Sequence, residues 1–319
     1  MPKVVFFTNL APDTAALLTN QAPATYDVTT ASAKLPPDEQ VTLSRDADFI
    51  ILFPGIISGE ALRAAKQLKL IQLVSAGFDT LDINLCKELE IPVANNGGTN
   101  STDVAEHTIT LILAWYRQLI AMDRNVRTGK WGAIDSGVST YTINGKTVGL
   151  VGLGNIGRKV ARLLNAFGAT VLYTDAFPVS PDVERELGVT RVTMDELLAQ
   201  SDVVSVHVPL NNETRGLMGE SAFAKMKPSA LVVNTCRGPV VDEAALIKAL
   251  QAGEIAGAAL DVLEQEPPAA DNPLFAMENV LLSPHVAGVT RDTWARRGAF
   301  IFANLERVWR GEKPQAVIA

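Results

Sequence analysis

Cysteine and histidine are scarce in this chain of 319 residues: two cysteines, Cys86 and Cys236, and three histidines, His107, His207 and His285. Two thiols build no disulfide framework and cannot hold a structural zinc ion by themselves. Cysteines and histidines at metal-ligand spacing are missing from the sequence, so no metal is expected. So little sulfur chemistry fits a reducing cytoplasm, the expected location. Long apolar runs are missing too, since no stretch reaches the roughly 18 residues that a membrane span requires. The opening MPKVVFFTNL reads as a first strand rather than a signal peptide. Positive charge is not in excess: 28 Lys and Arg against 35 Asp and Glu give a formal net charge of -7. That balance offers no field to attract nucleic acid or an anionic membrane, and neither is an expected partner. No G-x-S-x-G nucleophile elbow occurs, and no internal repeat stands out.

What is present is a chain able to build a large core, with 47% hydrophobic and 20% charged residues. Its length points to two domains of roughly 100–200 residues each. Short β-branched runs alternate with helical patterns, the signature of an α/β fold with parallel sheets. The first block has strand candidates at Val4–Asn9, Tyr26–Thr30, Phe49–Phe53, Leu70–Ser75 and Val93–Asn95. Helical patterns at Ser58–Lys66, with Ser58 as the cap, and Ile83–Leu89 lie between them. A long helix is expected over Ser101–Gln118 and a turn at Asn144-Gly145. The second block then has strands at Thr147–Val151, Thr170–Asp175, Val189–Val192, Val203–Val208, Ala230–Asn234, Gly257–Asp261 and Val280–Leu282. Its helices are expected at Ile156–Phe167, Met194–Gln200, Ser221–Lys225 and Asp242–Ala252, with a last one at Thr290–Arg310.

The clearest motif is Gly152-Leu153-Gly154-Asn155-Ile156-Gly157, with a strand before it and a helix after it. The glycines allow a tight turn, close approach of backbone to a pyrophosphate, and close helix–strand packing. The helix start adds free N–H groups and a positive dipole end. Asp175 ends the next strand, 18 positions past Gly157, where a ribose-binding acid is expected at roughly 20. A carboxylate there accepts bonds from ribose hydroxyls and repels a 2′-phosphate, and Ala176-Phe177-Pro178 brings no cation to bind one. NAD rather than NADP is therefore the expected cofactor.

Three later segments follow strand ends, where parallel sheets carry their ligands. Asn234-Thr235-Cys236-Arg237-Gly238-Pro239 holds an Arg able to grip a carboxylate with two parallel bonds. Asp261 and Glu266 lie in Leu260–Pro268, an acidic loop that stops at two prolines. Ser283-Pro284-His285-Val286-Ala287-Gly288 places a histidine, the usual side chain for proton transfer near neutral pH, beside small residues. His107 lies inside a helix and reads as a packed or capped residue. His207, in Val206-His207-Val208-Pro209, reads as a secondary cofactor contact. The expected cofactor contacts are thus Gly152, Gly154, Asn155, Ile156, Gly157, Asp175, His207, Pro209, Thr235, Cys236, Arg237, Asp261, His285 and Gly288.

These segments, with Ser75-Ala76-Gly77-Phe78-Asp79 and Val104–Thr108, resemble the signatures of the D-isomer-specific 2-hydroxyacid dehydrogenases over nearly the whole chain. The resemblance implies hydride transfer between NAD and a small 2-oxo or D-2-hydroxy acid. Arg237 would bind the substrate carboxylate, His285 would be the acid and base, and Glu266 would pair with His285. Asp261 would sit near the nicotinamide carboxamide, and Ser75, Ala76 and Gly77 would offer backbone N–H groups to the substrate. It implies a Rossmann cofactor domain, residues 101–286, inserted into a flavodoxin-like substrate domain, residues 1–100 and 287–319, with the active site between the domains. A homodimer through the cofactor domain is also implied. The chain stops at Ala319, soon after the last helical pattern, so a form with no feedback domain is expected. Cys236 stands where relatives often have Ala, expected as a packing change. The alternative is an NAD(H)-sensing co-regulator on the same fold, against which stands the lack of tails of disordered composition.

Overall fold

A computed structural model of the chain describes residues 1–132 and 135–319. It divides into two compact units, Met1–Asn100 with Val289–Ala319, and Ser101–Gly288. Along the first unit run β1 (Lys3–Thr8), α1 (Pro12–Thr19), β2 (Asp27–Ser32), α2 (Pro37–Ser44), β3 (Phe49–Phe53), α3 (Gly59–Ala64), β4 (Leu70–Leu73), α4 (Ile83–Glu88) and β5 (Val93–Ala94). The sheet has the order β2-β1-β3-β4-β5, every pair parallel, which is the flavodoxin-like arrangement.

Strand residues alternate between two covered faces. Val5, Phe7, Ile50, Leu52 and Leu73 pack with Leu62 of α3 and Leu85 of α4. Val4, Phe6, Phe49, Ile51 and Leu70 pack with Leu18 of α1 and with Trp294, Ile301, Phe302 and Leu305 of the last helix. Ser58 caps α3, accepting from the Ala61 N–H at 3.2 Å as its position predicts. The final residues close the open edge of β5: Ile318 N donates to Val93 O, and Val93 N to Ala319 O, both at 2.8 Å. An edge strand is thereby paired.

The second unit contains α5 (Ser101–Tyr116), α6 (Leu119–Arg127), β6 (Thr147–Val151), α7 (Asn155–Ala166), β7 (Thr170–Thr174), α8 (Pro181–Leu187), β8 (Val189–Arg191), α9 (Met194–Gln200), β9 (Val203–Val206), α10 (Glu220–Phe223), β10 (Leu231–Asn234), α11 (Glu243–Ala252), β11 (Gly257–Leu260) and β12 (Val280–Leu282). The chain then closes in the first unit with α12 (Arg291–Trp309). The seven strands lie in the order β12-β11-β10-β9-β6-β7-β8, all parallel. The winding reverses between β6 and β9, the switch point where such sheets bind ligands.

Both faces of this sheet are covered, which is why its strands read as continuous apolar runs. Val148, Leu150, Val203 and Val233 pack under α5 and α7. Val151, Val204, Val206, Val232 and Leu260 pack under Leu197, Phe223 and Leu246 of α9, α10 and α11. Truncating one such side chain, Leu150 for example, to Ala costs about 2–5 kcal/mol. Among the described residues, no helix is long and apolar enough to cross a membrane.

Candidate active site

The chain leaves β6 at Val151 and turns through Gly152–Gly154 into α7. Gly152 has φ +99°, and a Cβ there would stand 2.6 Å from the His207 carbonyl oxygen. A Cβ on Gly157 would overlap the Gly152 carbonyl oxygen, so α7 presses on the turn in a way that only glycine permits. Gly154 is the N-cap of α7 and brings no side-chain cap; among the described residues, nothing lies within 4 Å of its would-be Cβ. The first N–H groups of α7 therefore face an open cradle at the positive end of the helix dipole. Past β7, Asp175 ties the turn, its Oδ2 accepting from Leu153 N at 2.7 Å and its Oδ1 from Phe177 N at 2.8 Å. Each oxygen has a second lone pair for a hydroxyl. An anion cradle beside an acceptor-only carboxylate fits a dinucleotide.

Arg237, Glu266 and His285 follow β10, β11 and β12, three neighbouring strands. Asn234, the last residue of β10, shapes the Arg237 loop: its Nδ2 donates to Arg237 O at 3.0 Å, and its Oδ1 accepts from Cys236 N at 3.0 Å. Arg237 Nη1 donates to Cys236 O at 2.7 Å. Glu266 reaches His285, Oε2 to Nδ1, at 2.6 Å, while its Oε1 accepts from Leu263 N at 3.1 Å. Burial pushes the Glu266 carboxyl up. The hydrogen bond and charge of His285, the Leu263 N–H and the Arg237 guanidinium outweigh it and hold the carboxyl below its ordinary range. An ionised carboxylate only accepts, so the His285 proton in this contact belongs to Nδ1.

A profile for the NAD binding domain of D-isomer specific 2-hydroxyacid dehydrogenases matches residues 109–287. The chain belongs to the D-isomer-specific 2-hydroxyacid dehydrogenase family. A glyoxylate reductase of Korarchaeum cryptofilum is 40% identical over 288 residues, 89% of this chain and 86% of that protein. A D-3-phosphoglycerate dehydrogenase of Archaeoglobus fulgidus is 43% identical over 255 residues, 80% of this chain and 48% of that longer protein. Among solved structures, D-mandelate dehydrogenase of Rhodotorula graminis aligns with a TM-score of 0.87 at 30% identity, covering 100% of this chain and 98% of that one. D-lactate dehydrogenase with NAD+ from Lactobacillus jensenii gives 0.84 at 28%, covering 99% of each. As a member of this family the chain is an NAD-dependent oxidoreductase acting on 2-hydroxy or 2-oxo acids.

In this dehydrogenase the Asp261 side chain is 1% exposed and gathers the His285 turn. It accepts from Ser283 Oγ at 2.6 Å, Val286 N at 2.9 Å and Ala287 N at 2.8 Å. Its backbone oxygen accepts from His285 N at 2.7 Å, and His285 has φ 56°, the left-handed region. His107, read from sequence as a packing residue, lies 2.9 Å from Ser283 Oγ and 3.6 Å from Asp261 Oδ1. His207 contacts Ser205 Oγ through Nε2 at 2.9 Å, while its buried Nδ1 has no partner among the described residues. Burial pushes this imidazole down to about 4, so it is neutral. Thr235 Oγ1 meets Thr108 Oγ1 at 3.1 Å, and burial pushes the Cys236 thiol up to about 11.

A cavity of about 580 Å³ opens beside the Glu266–His285 pair, lined by Leu263, Pro267, Pro268, Phe275 and Pro284 among others. Pro209 accepts through its carbonyl from Thr214 Oγ1 at 2.6 Å, and Gly288 ends the second unit. Ser75, Ala76 and Gly77 belong to the first unit, just past β4, where Ser75 Oγ donates to Gly77 O at 2.7 Å. Sequence reasoning missed the parts of Asn234 and Ser283. Only Asn234 left a local signal, a turn-forming amide at a strand end.

Proposed function

We propose that the chain reduces a small 2-oxo acid to its D-2-hydroxy acid and runs the reverse. His285 is the acid and base, Glu266 its partner, and Arg237 the carboxylate clamp. The 2.6 Å contact between Glu266 and His285 Nδ1 carries this reading. It commits Nδ1–H, so Nε2 is the atom that hands a proton to the carbonyl oxygen in reduction and takes it back in oxidation. The Glu266 anion stabilises the imidazolium and fixes the ring. Such help is worth about 10²–10⁴ in rate. The planar Arg237 fork matches a carboxylate bidentately and orients the carbonyl beside it. When bound at the Gly152–Gly157 turn, NAD(H) supplies or accepts the hydride.

His207, Pro209, Thr235, Cys236, Asp261 and Gly288 are the further proposed cofactor contacts, and the Ser75–Gly77 backbone is a proposed second ligand for the substrate carboxylate. Asp175 favours NAD over NADP. Glyoxylate is the first acid to test, because relatives from Korarchaeum cryptofilum, Aeropyrum pernix and Thermofilum pendens are named glyoxylate reductases. A homodimer is part of the proposal. It is supported by exposed apolar side chains around one depression on the cofactor unit: Ile120, Val138 and Tyr141 are 48–91% exposed.

The test is NADH oxidation with glyoxylate, hydroxypyruvate, pyruvate, longer 2-oxo acids and phosphohydroxypyruvate. His285→Ala should lower kcat on the best acid by about 10²–10⁴ and leave NADH affinity intact. A variant as fast as wild type would remove His285 from the chemistry. Arg237→Ala should damage KM and kcat together, and an unchanged specificity constant would remove it from the site.

A further inference from the structure

We propose that His107 is a positioning residue for the reaction, acting through Ser283 and Asp261 on the turn that carries His285. The inference rests on the proton-transfer role proposed above for His285. A carboxylate accepts and does not donate, so Ser283 must give its single hydroxyl hydrogen to Asp261 Oδ1, at 2.6 Å. The lone pairs of Ser283 Oγ are then what His107 meets at 2.9 Å, and the His107 hydrogen sits on Nε2. The result is a directed chain, His107 Nε2–H to Ser283 Oγ–H to Asp261 Oδ1.

Asp261 passes that order on. Its carboxylate also accepts from Val286 N and Ala287 N, and its carbonyl accepts from His285 N. The four bonds bracket a non-glycine residue with φ 56°, a conformation that such residues avoid unless held. The anchor at the far end is rigid: α5 spans 16 residues, nine of them buried. His107 therefore refers the His285 turn to a core helix. Glu266, the ionisable group bonded to the His285 ring, orients it from the opposite loop. Without His107 the half-buried Ser283 hydroxyl loses the donor that fixes its orientation, its bond to Asp261 is free to swing, and the turn moves with it.

The test compares His107→Leu, His107→Gln, Ser283→Ala and the His107→Leu/Ser283→Ala double variant. Two readouts are used: steady-state kinetics with NADH and the best 2-oxo acid, and NMR titration of 13C-labelled imidazoles. With three histidines in the chain, each resonance is assignable by substitution. His107→Leu should lower kcat roughly tenfold, as a loosened catalytic geometry does, with KM for NADH within twofold. It should also move the titration midpoint of His285. His107→Gln keeps an N–H donor and should recover most of both. The double variant should be no worse than the poorer single one, because both act through one chain. An unmoved His285 titration with unchanged kcat would overturn the proposal. So would multiplying losses in the double variant, or Gln failing as badly as Leu. If wild type reduces no 2-oxo acid, the functional reading fails, and the His285 titration still decides the positioning question.

Discussion

Gly238→Ala is the sharpest probe of how the proposed trio is held. A methyl group on residue 238 would overlap the Leu263 carbonyl and stand 2.6 Å from Glu264 N, where ordinary contact begins at 3.4 Å. These are backbone atoms, so no side chain can swing aside, and the Leu263–Glu266 segment, exposed from Glu264 onward, must retreat by roughly 1 Å. Glu266 travels with it, because its Oε1 is bonded to Leu263 N at 3.1 Å. The 2.6 Å contact with His285 then opens beyond the useful range of about 3.2 Å. A displacement of about 1 Å at a reacting group costs about 10² in rate, which is the expected loss in kcat. Overpacking of this kind costs about 1–3 kcal/mol, a fall in Tm of roughly 2–10 °C, so the variant still folds. The assay is kcat at saturating NADH and 2-oxo acid, with Tm and NADH affinity measured alongside. A folded variant with kcat within twofold of wild type would refute the idea that this glycine seats the acid loop.

Three further outcomes are expected. Asp175→Ala removes the acceptor proposed for the ribose hydroxyls, and charged hydrogen bonds of this kind are worth about 1.5–3 kcal/mol each. NADH should bind about 10–100-fold more weakly with its lead over NADPH reduced, and an unchanged NADH to NADPH ratio would count against the ribose role. His207 is neutral in the fold and pushed down from 6.5 to about 4, so the folded state binds fewer protons than the unfolded one between those values. Stability should fall as pH drops through that window, by up to about 3 kcal/mol, with no contribution from this residue above it. Melts of His207→Gln should show a shallower acid slope, and an identical slope removes His207 from the account. Ile120→Glu on the exposed face of α6 should halve the mass measured by light scattering if that face joins two copies, and an unaltered mass would place the contact elsewhere.

Much of the fold was legible because buried parallel strands are continuous apolar runs. Phe49–Phe53, Thr147–Val151 and Val280–Leu282 are strands with the bounds that the sequence predicts, and Met194–Gln200 is the predicted helix. Helices without an apolar stripe escaped. α2 buries Gln40 and Ser44, α6 buries nothing, and α8 is a short charged turn opened by Pro181. In the site, Gly152–Gly157 was readable because its geometry is local. The pairing of Glu266 with His285 spans 19 positions and was legible only through family resemblance. Gly238, Ser283 and His107 draw their meaning from what lies opposite them after folding, and no local pattern encodes that.

The order of the chain also has a consequence at the ribosome. The 188 residues from Ser101 to Gly288 are uninterrupted, so that unit can close as soon as its last strand emerges. The sheet begun first must wait, because one of its faces, with Val4, Phe6 and Phe49, is covered by Trp294, Ile301 and Phe302. Until the final stretch is translated, that nascent surface stays greasy and open to chaperones.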